Sequence, residues 1–157
     1  VLTARAAILD VVSDLDALIA NASGAGRKAL QNARESLLGS SGGSASSGAV
    51  DKLDSNDREA AVVKLVDAID YLSRAETATG LNLDGLQETL ALAAYSIAVQ
   101  AQAEAFAANT PPTAGEAKQL ATIQSEIDLG AARLAAHDPA GATARFHEAV
   151  RRSIALL

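Results

Sequence analysis

The chain is 157 residues long, 49% hydrophobic and only 3% aromatic, with a net charge of −6 from 13 basic and 19 acidic residues. It has no cysteine, which excludes a disulfide framework, a thiolate zinc site and a cysteine nucleophile. The acidity is spread evenly over both halves and repels phosphate backbones, so no nucleic-acid partner is expected.

No apolar run approaches the roughly 20 residues of a membrane span. Alanine fills 37 positions, and alanine is the best helix former while being depleted in strands. The expected fold class is all-α, with helices in close approach. The chain opens at Val1 without an initiator methionine or a signal-peptide pattern, so a processed or excised piece of a longer protein is expected.

Residues 2–21 carry Ile8, Val11, Val12, Leu15, Leu18 and Ile19 on one stripe, with Asp10, Asp14 and Asp16 mostly opposite. That is the pattern of an amphipathic helix. A Ser-Gly-Ala-Gly break leads to a second helix over about 26–38, with Ala29, Leu30, Ala33 and Leu37 inward. Residues 39–48, GSSGGSASSG, form a low-complexity tract that reads as a flexible loop, because ordering glycine and serine costs backbone entropy. A short helical turn is predicted at 49–53.

A strong helix follows over about 57–78, with Asn56 as N-cap and Glu59 completing a capping box. Its buried stripe is Val62, Leu65, Ala68, Ile69, Leu72 and Ala75. The helix predicted over about 85–108, about 36 Å long, has two apolar rows. One is Leu86, Leu90, Ala93, Ala94, Ile97, Ala101 and Ala105; the other is Leu92, Tyr95, Val99 and Phe106. Two rows predict neighbours on more than one side and a central place in the bundle.

Asn109-Thr-Pro-Pro-Thr ends that helix, because consecutive prolines remove donors. Thr113 and Glu116 predict a capping box for a helix over about 114–136, lined inside by Leu120, Ile123, Ile127, Ala131 and Leu134. Asp138 as N-cap and Pro139 at the first position open the last helix, buried through Ala142, Phe146, Ala149, Val150 and Ile154.

Two segments align at an offset of 81 residues: Leu53, Asp57, Ala61, Leu65, Ala68 and Ile69 match Leu134, Asp138, Ala142, Phe146, Ala149 and Val150. Both read as the turn and second helix of a hairpin. With Leu129-Gly130, Ala142, Phe146 and Ala149 at that family's spacing, the later copy resembles one tetratricopeptide repeat. Glu126 and Arg133 stand where its large aromatics would be.

The stretch 49–100, AVDKLDSNDREAAVVKLVDAIDYLSRAETATG followed by LNLDGLQETLALAAYSIA, resembles the helical modules called FIMAH. It shares Lys52-Leu53, Ala61, Leu65, the Thr79-Gly80 turn and the apolar helix after it. The resemblance implies an accessory domain near the C-terminus of a large secreted bacterial protein. It supplies no catalytic residue.

Other motifs carry little. Gly24-Ala-Gly-Arg-Lys-Ala29 spells a dinucleotide fingerprint, but a helix rather than a strand precedes it. Gly39-Ser-Ser-Gly-Gly43 spells a nucleophile elbow inside the Gly/Ser tract, which lacks the rigid corner that chemistry needs. Asp51, Asp54, Asp57 and Glu59 lack the spacing of a calcium loop. His137 and His147 have no metal-binding pattern around them and are expected on helix surfaces, His147 on the outer face of the last helix. Arg145, Arg151 and Arg152 read as a solvated face, and Asn21-Ala22-Ser23 is a glycosylation sequon by spelling only.

The expected architecture is therefore a single domain over 1–157. It is a bundle of five main helices plus the short turn at 49–53, built from two tetratricopeptide-like hairpins around a central long helix. No catalytic residue, cofactor or metal site is expected. The expected role is a non-catalytic accessory or interaction domain, extracellular or at the cell surface, whose partner is a neighbouring domain or another protein. A tetratricopeptide-like adaptor binding a peptide is the alternative.

Overall fold

The computed structural model describes residues 3–40 and 47–157. They form seven helices: α1 (Ala4–Asn21), α2 (Gly24–Leu38), α3 (Ala49–Asp54), α4 (Arg58–Thr79), α5 (Asp84–Ala108), α6 (Ala114–Ala135) and α7 (Pro139–Ile154). Six are long and one is short, so the expected five main helices are too few: each of the six long stretches read in chain order forms a helix of its own. Gly24 takes a left-handed φ of 61° between α1 and α2, and His137 takes a φ of 60° between α6 and α7, and both breaks fall where the sequence places them. Residues 41–46 of the Gly/Ser tract, on which most of the flexible-loop expectation rests, lie outside the described residues.

The ends are set by local chemistry. Thr3 Oγ1 accepts from the Ala6 N–H at 3.1 Å to start α1. Thr113 and Glu116 form the expected reciprocal box, with the Thr113 N–H donating to the Glu116 carboxylate at 2.7 Å. That bond, followed by the one from the Thr113 side chain, holds the Glu116 carboxyl below its ordinary pKa. Asp138 accepts from the Gly141 N–H at 2.9 Å. The start of α4 differs from expectation. Asp57, not Asn56, is the N-cap and accepts from the Ala60 N–H at 3.2 Å. Asn56 is instead the left-handed residue of the turn, at a φ of 60°.

That exchange makes the two halves of the repeat alike. Asn56-Asp57 and His137-Asp138, 81 residues apart, share a left-handed residue followed by an aspartate N-cap. The Asp57 N–H donates to the Lys52 carbonyl at 2.8 Å, and the Asp138 N–H to the Arg133 carbonyl at 2.9 Å, again 81 residues on. The aligned pairs Ala61/Ala142, Leu65/Phe146, Ala68/Ala149 and Ile69/Val150 are all buried.

The buried apolar side chains join into one cluster to which all seven helices contribute. α2 lies along α4, α6 along α7, and α1 against α2 and α5. α7 packs on α4, α5 and α6, while α5 touches α1, α4, α6 and α7. α5 is central in that sense, and its buried face is mostly alanine: Ala91, Ala93, Ala94, Ala98, Ala101 and Ala105. The second apolar row is not covered, against expectation. A wide apolar arc fixes which residues avoid water, but only the neighbours available in the chain decide how much of it is buried.

One close approach depends on a missing side chain. Gly130 of α6 faces the Phe146 ring, and a Cβ there would stand 2.7 Å from Phe146 Cδ1. Glycine inside a helix normally costs about 1 kcal/mol relative to alanine. Gly130→Ala is nevertheless expected to destabilise the protein by about 1–2 kcal/mol, since overpacking of a filled core exceeds the propensity gain. Thermal unfolding measures the sign directly; a stabilised variant would mean that the Phe146 ring moves freely.

Candidate functional site

The residue types that usually carry chemistry are dispersed. Asp51 accepts from the Gly48 N–H at 3.0 Å, Asp57 caps α4, and Asp54 holds Arg5 at 2.9 Å. The acidic run thus serves three separate local contacts. Among the described residues no group of three histidines or carboxylates could hold a metal ion. Gly24–Ala29 opens α2 directly after α1, and Gly26 lies against the Thr79 side chain near the end of α4. The Gly39–Gly43 motif falls largely outside the described residues.

His137 is exposed, as expected, and its Nδ1 lies 2.9 Å from the Glu88 carboxylate. The hydrogen bond and charge of Glu88 raise its pKa above the ordinary histidine value. His147 departs from expectation. It is half-buried, with Nε2 3.7 Å from a Glu59 oxygen on α4. α7 is covered on its flank by α4 as well as by α5, so the position beside Glu148 is no outer face. Arg145 pairs with Glu126 at 3.1 Å, and Arg151 and Arg152 both pair with Glu148, at 2.8 and 2.7 Å. The hydrogen bond from Arg151 leads the effects that hold the Glu148 carboxyl below its ordinary pKa.

A cleft of about 430 Å³ with mixed polar and apolar walls opens between the start of α1, the α3–α4 turn and α5. Arg5, Asp54, Asn56, Arg58, Ser96 and Gln100 line it. Both arginines are already committed, Arg5 to Asp54 and Arg58 to Glu104 in a two-pronged bond. The Arg58 hydrogen bond also keeps the Glu104 carboxyl below its ordinary pKa. With its cations neutralised, the cleft has little pull on an anion.

The feature that stands out is apolar. Leu92, Tyr95, Val99 and Phe106 of α5 are 53%, 37%, 38% and 44% exposed. They share one side of the helix because 92, 99 and 106 recur every seven residues, close to two helical turns. A groove of about 240 Å³ lies at the Leu92–Tyr95 end of the row toward α6, lined by Leu92, Tyr95, Ala131, Leu134 and Ala135. A second, of about 290 Å³, lies toward α1, where Ala4 and Ala7 face Leu92 and Ala93. Leu92 is thus a ridge between two hollows.

The row is held rigidly from behind. The Tyr95 ring meets Phe146 edge to face at 5.4 Å, and Gln102 donates to Gln124 of α6 at 2.6 Å. Phe146 itself is fully buried, as the stripe of the last helix predicts. The open groove lies beside it, between α5 and α6. The sequence singles out the four residues of the row, but as interior ones; the grooves come from α1 and α6, whose placement no periodicity encodes.

Among the described residues no helix is long and apolar enough to cross a membrane. Comparison of the chain with protein-family models, with curated proteins and with solved structures gives no match in any of the three.

Proposed function

We propose that the chain is a non-catalytic helical accessory or interaction domain of a larger exported bacterial protein, acting outside the cell or at its surface. The observation that carries this reading is the exposed row Leu92, Tyr95, Val99 and Phe106, whose Leu92 end is flanked on both sides by apolar grooves. Single exposed apolar side chains are ordinary, whereas a contiguous apolar face is the mark of a surface that another polypeptide covers. The polar groups support the same view: Asp57 and Glu116 cap helices, Glu104 pairs with Arg58, and His137 is engaged by Glu88. No nucleophile with an orienting base is assembled among them.

The FIMAH-like stretch 49–100 spans α3, α4 and most of α5, so the resemblance and the apolar face fall on the same helix. The second reading, a tetratricopeptide-like adaptor that binds a peptide, draws on the equivalent turns at Asn56-Asp57 and His137-Asp138 and on the α5–α6 groove.

A photocrosslinking side chain placed at Val99 of the native full-length protein tests the proposal. Adducts to a defined polypeptide, whether a neighbouring domain, another protein or a second copy, are the expected result. Turnover in a broad activity screen that disappears in His137→Ala or His147→Ala would overturn it.

A further inference from the structure

The charge of the chain gathers on the helices that form and flank the exposed row. α1, α5 and α6 carry nine acidic and three basic side chains, the whole net charge of −6, while the rest of the chain balances. Acids border the row on three sides. On α6, Gln124 accepts from Gln102 of α5 at 2.6 Å and donates to Asp128 at 2.8 Å. Asp128 lies four residues after Gln124 and three before Ala131 of the Leu92–Tyr95 groove, so it stands on the α5 side of α6, level with Val99. On α1, Asp10 and Asp14 follow Ala7 by three and seven residues and continue the flank that Thr3 and Ala7 turn toward Leu92. Glu88, four residues before Leu92, heads the row itself.

The cations of these helices do not answer those acids. α5 has no lysine or arginine, Arg5 is held by Asp54 and Arg133 by Asp138. Lys118, ten residues from Asp128, is about a quarter turn round α6. Asp10, Asp14 and Asp128 are exposed, and among the described residues none of the three enters an ion pair. We infer that this face receives an amphipathic helix with a basic border. Its apolar stripe lies along Leu92, Tyr95, Val99 and Phe106, and its lysines or arginines reach Asp128 on one side and Asp10 and Asp14 on the other. This rests on the reading of the α5 face as an interaction surface and names the chemistry of its occupant.

The geometry suits a helix. Leu92, Tyr95, Val99 and Phe106 follow one another by three, four and seven residues, the spacing at which a second helix presents its own anchors. Packed helices lie about 8–10 Å apart, so the border side chains of a helix resting on the row stand over α1 and α6, where the acids are. Apolar contact supplies the hold, and the acids select the sign of the partner and speed its approach. The same acids oppose two other occupants. An anionic membrane surface is repelled, and a second copy brings acids of its own to a face already bordered by them.

A synthetic helix of about 18 residues, long enough to overlap the row of about 21 Å, tests the proposal. It carries leucine at i, i+3, i+4 and i+7 and lysine elsewhere, and its fluorescence anisotropy is titrated with the full chain. Binding is expected to weaken about 10-fold or more in Asp128→Lys, and as much in the uncharged double variant Leu92→Ser, Val99→Ser. Asp67→Lys makes the same charge change at an exposed position on α4 and should cost no more than about twofold. Raising salt from about 0.1 to 1 M shortens the screening length from about 10 to 3 Å and should also weaken binding, the opposite of its effect on a purely apolar contact. Equal losses in Asp128→Lys and Asp67→Lys, or equal binding of a peptide with glutamate in place of lysine, would overturn the basic border. Dimerisation of the parent chain, or adsorption to phosphatidylglycerol vesicles, that is lost in the double serine variant would overturn it in favour of those occupants. A Val99 photoadduct on a native helix without lysine or arginine would overturn it too, yet leave the interaction reading standing; no polypeptide adduct at all would overturn both.

Discussion

Leu90→Asp is expected to leave the chain unfolded, while Leu92→Asp, two residues along the same helix, leaves it folded. Two residues turn an α-helix by about 200°. Leu90 is fully buried, on a helix that touches α1, α4, α6 and α7, and Leu92 lies on the exposed row. An unpaired carboxylate in an apolar interior costs several kcal/mol even after it is neutralised by protonation, and the lost leucine adds a cavity of about 2–5 kcal/mol. Together these approach the whole stability of a small domain, about 5–15 kcal/mol. The exposed substitution is expected to change stability by no more than about 0.5 kcal/mol. Far-UV circular dichroism and thermal melts of the pair are the measurement. Equal behaviour of the two variants would mean that α5 turns a different face to the core.

Phe146→Ala is the second large effect. Phe146 is the largest fully buried side chain, at the junction where α7 meets α6 through Gly130 and α5 through Tyr95. Removing a buried phenylalanine costs about 3–5 kcal/mol. At this chain length each kcal/mol shifts the melting temperature by about 2–4 °C, so a loss of about 10 °C is expected. Phe146→Leu should recover most of it. A melting temperature that moves by less than about 2 °C in Phe146→Ala would show that the ring is not the keystone of this junction. The exposed face should suffer too, because Tyr95 loses the ring it rests on.

Much of this architecture is legible in the sequence, for reasons that particular residues make plain. Val11 and Leu15, Leu65 and Ile69, and Ile123 and Ile127 are buried as their spacing requires, whereas Ala131 and Ile154, toward the ends of their stripes, are exposed. Thr113 with Glu116, and Asp138 with Pro139, start their helices as local capping chemistry dictates. Local chemistry alone does not choose between Asn56 and Asp57, since both residue types cap helices. The turn decides, by holding Asn56 left-handed. His147 and the α5 row depart from their spacing in opposite directions. A polar residue that reads as a surface one is half-buried against Glu59, while an apolar row that reads as interior is open. Periodicity records the preference of a side chain for water, not whether another helix stands in front of it.

The alanine-lined face of α5 has a consequence for how the protein tolerates change. An alanine side chain has no rotamers to lose, so its burial costs almost nothing in side-chain entropy. It also has no rotamers with which to make room. When a leucine-lined contact is disturbed, side chains can rotate and redistribute the strain; here the backbones themselves would have to separate. Ala94, Ala98 and Ala101 are fully enclosed, so any larger residue there pushes apart whole helices rather than neighbouring side chains. In a saturation mutagenesis experiment these positions should accept only glycine, serine and little else. Leu92, Val99 and Phe106, a fraction of a turn away, should accept nearly every residue wherever selection acts on folding alone.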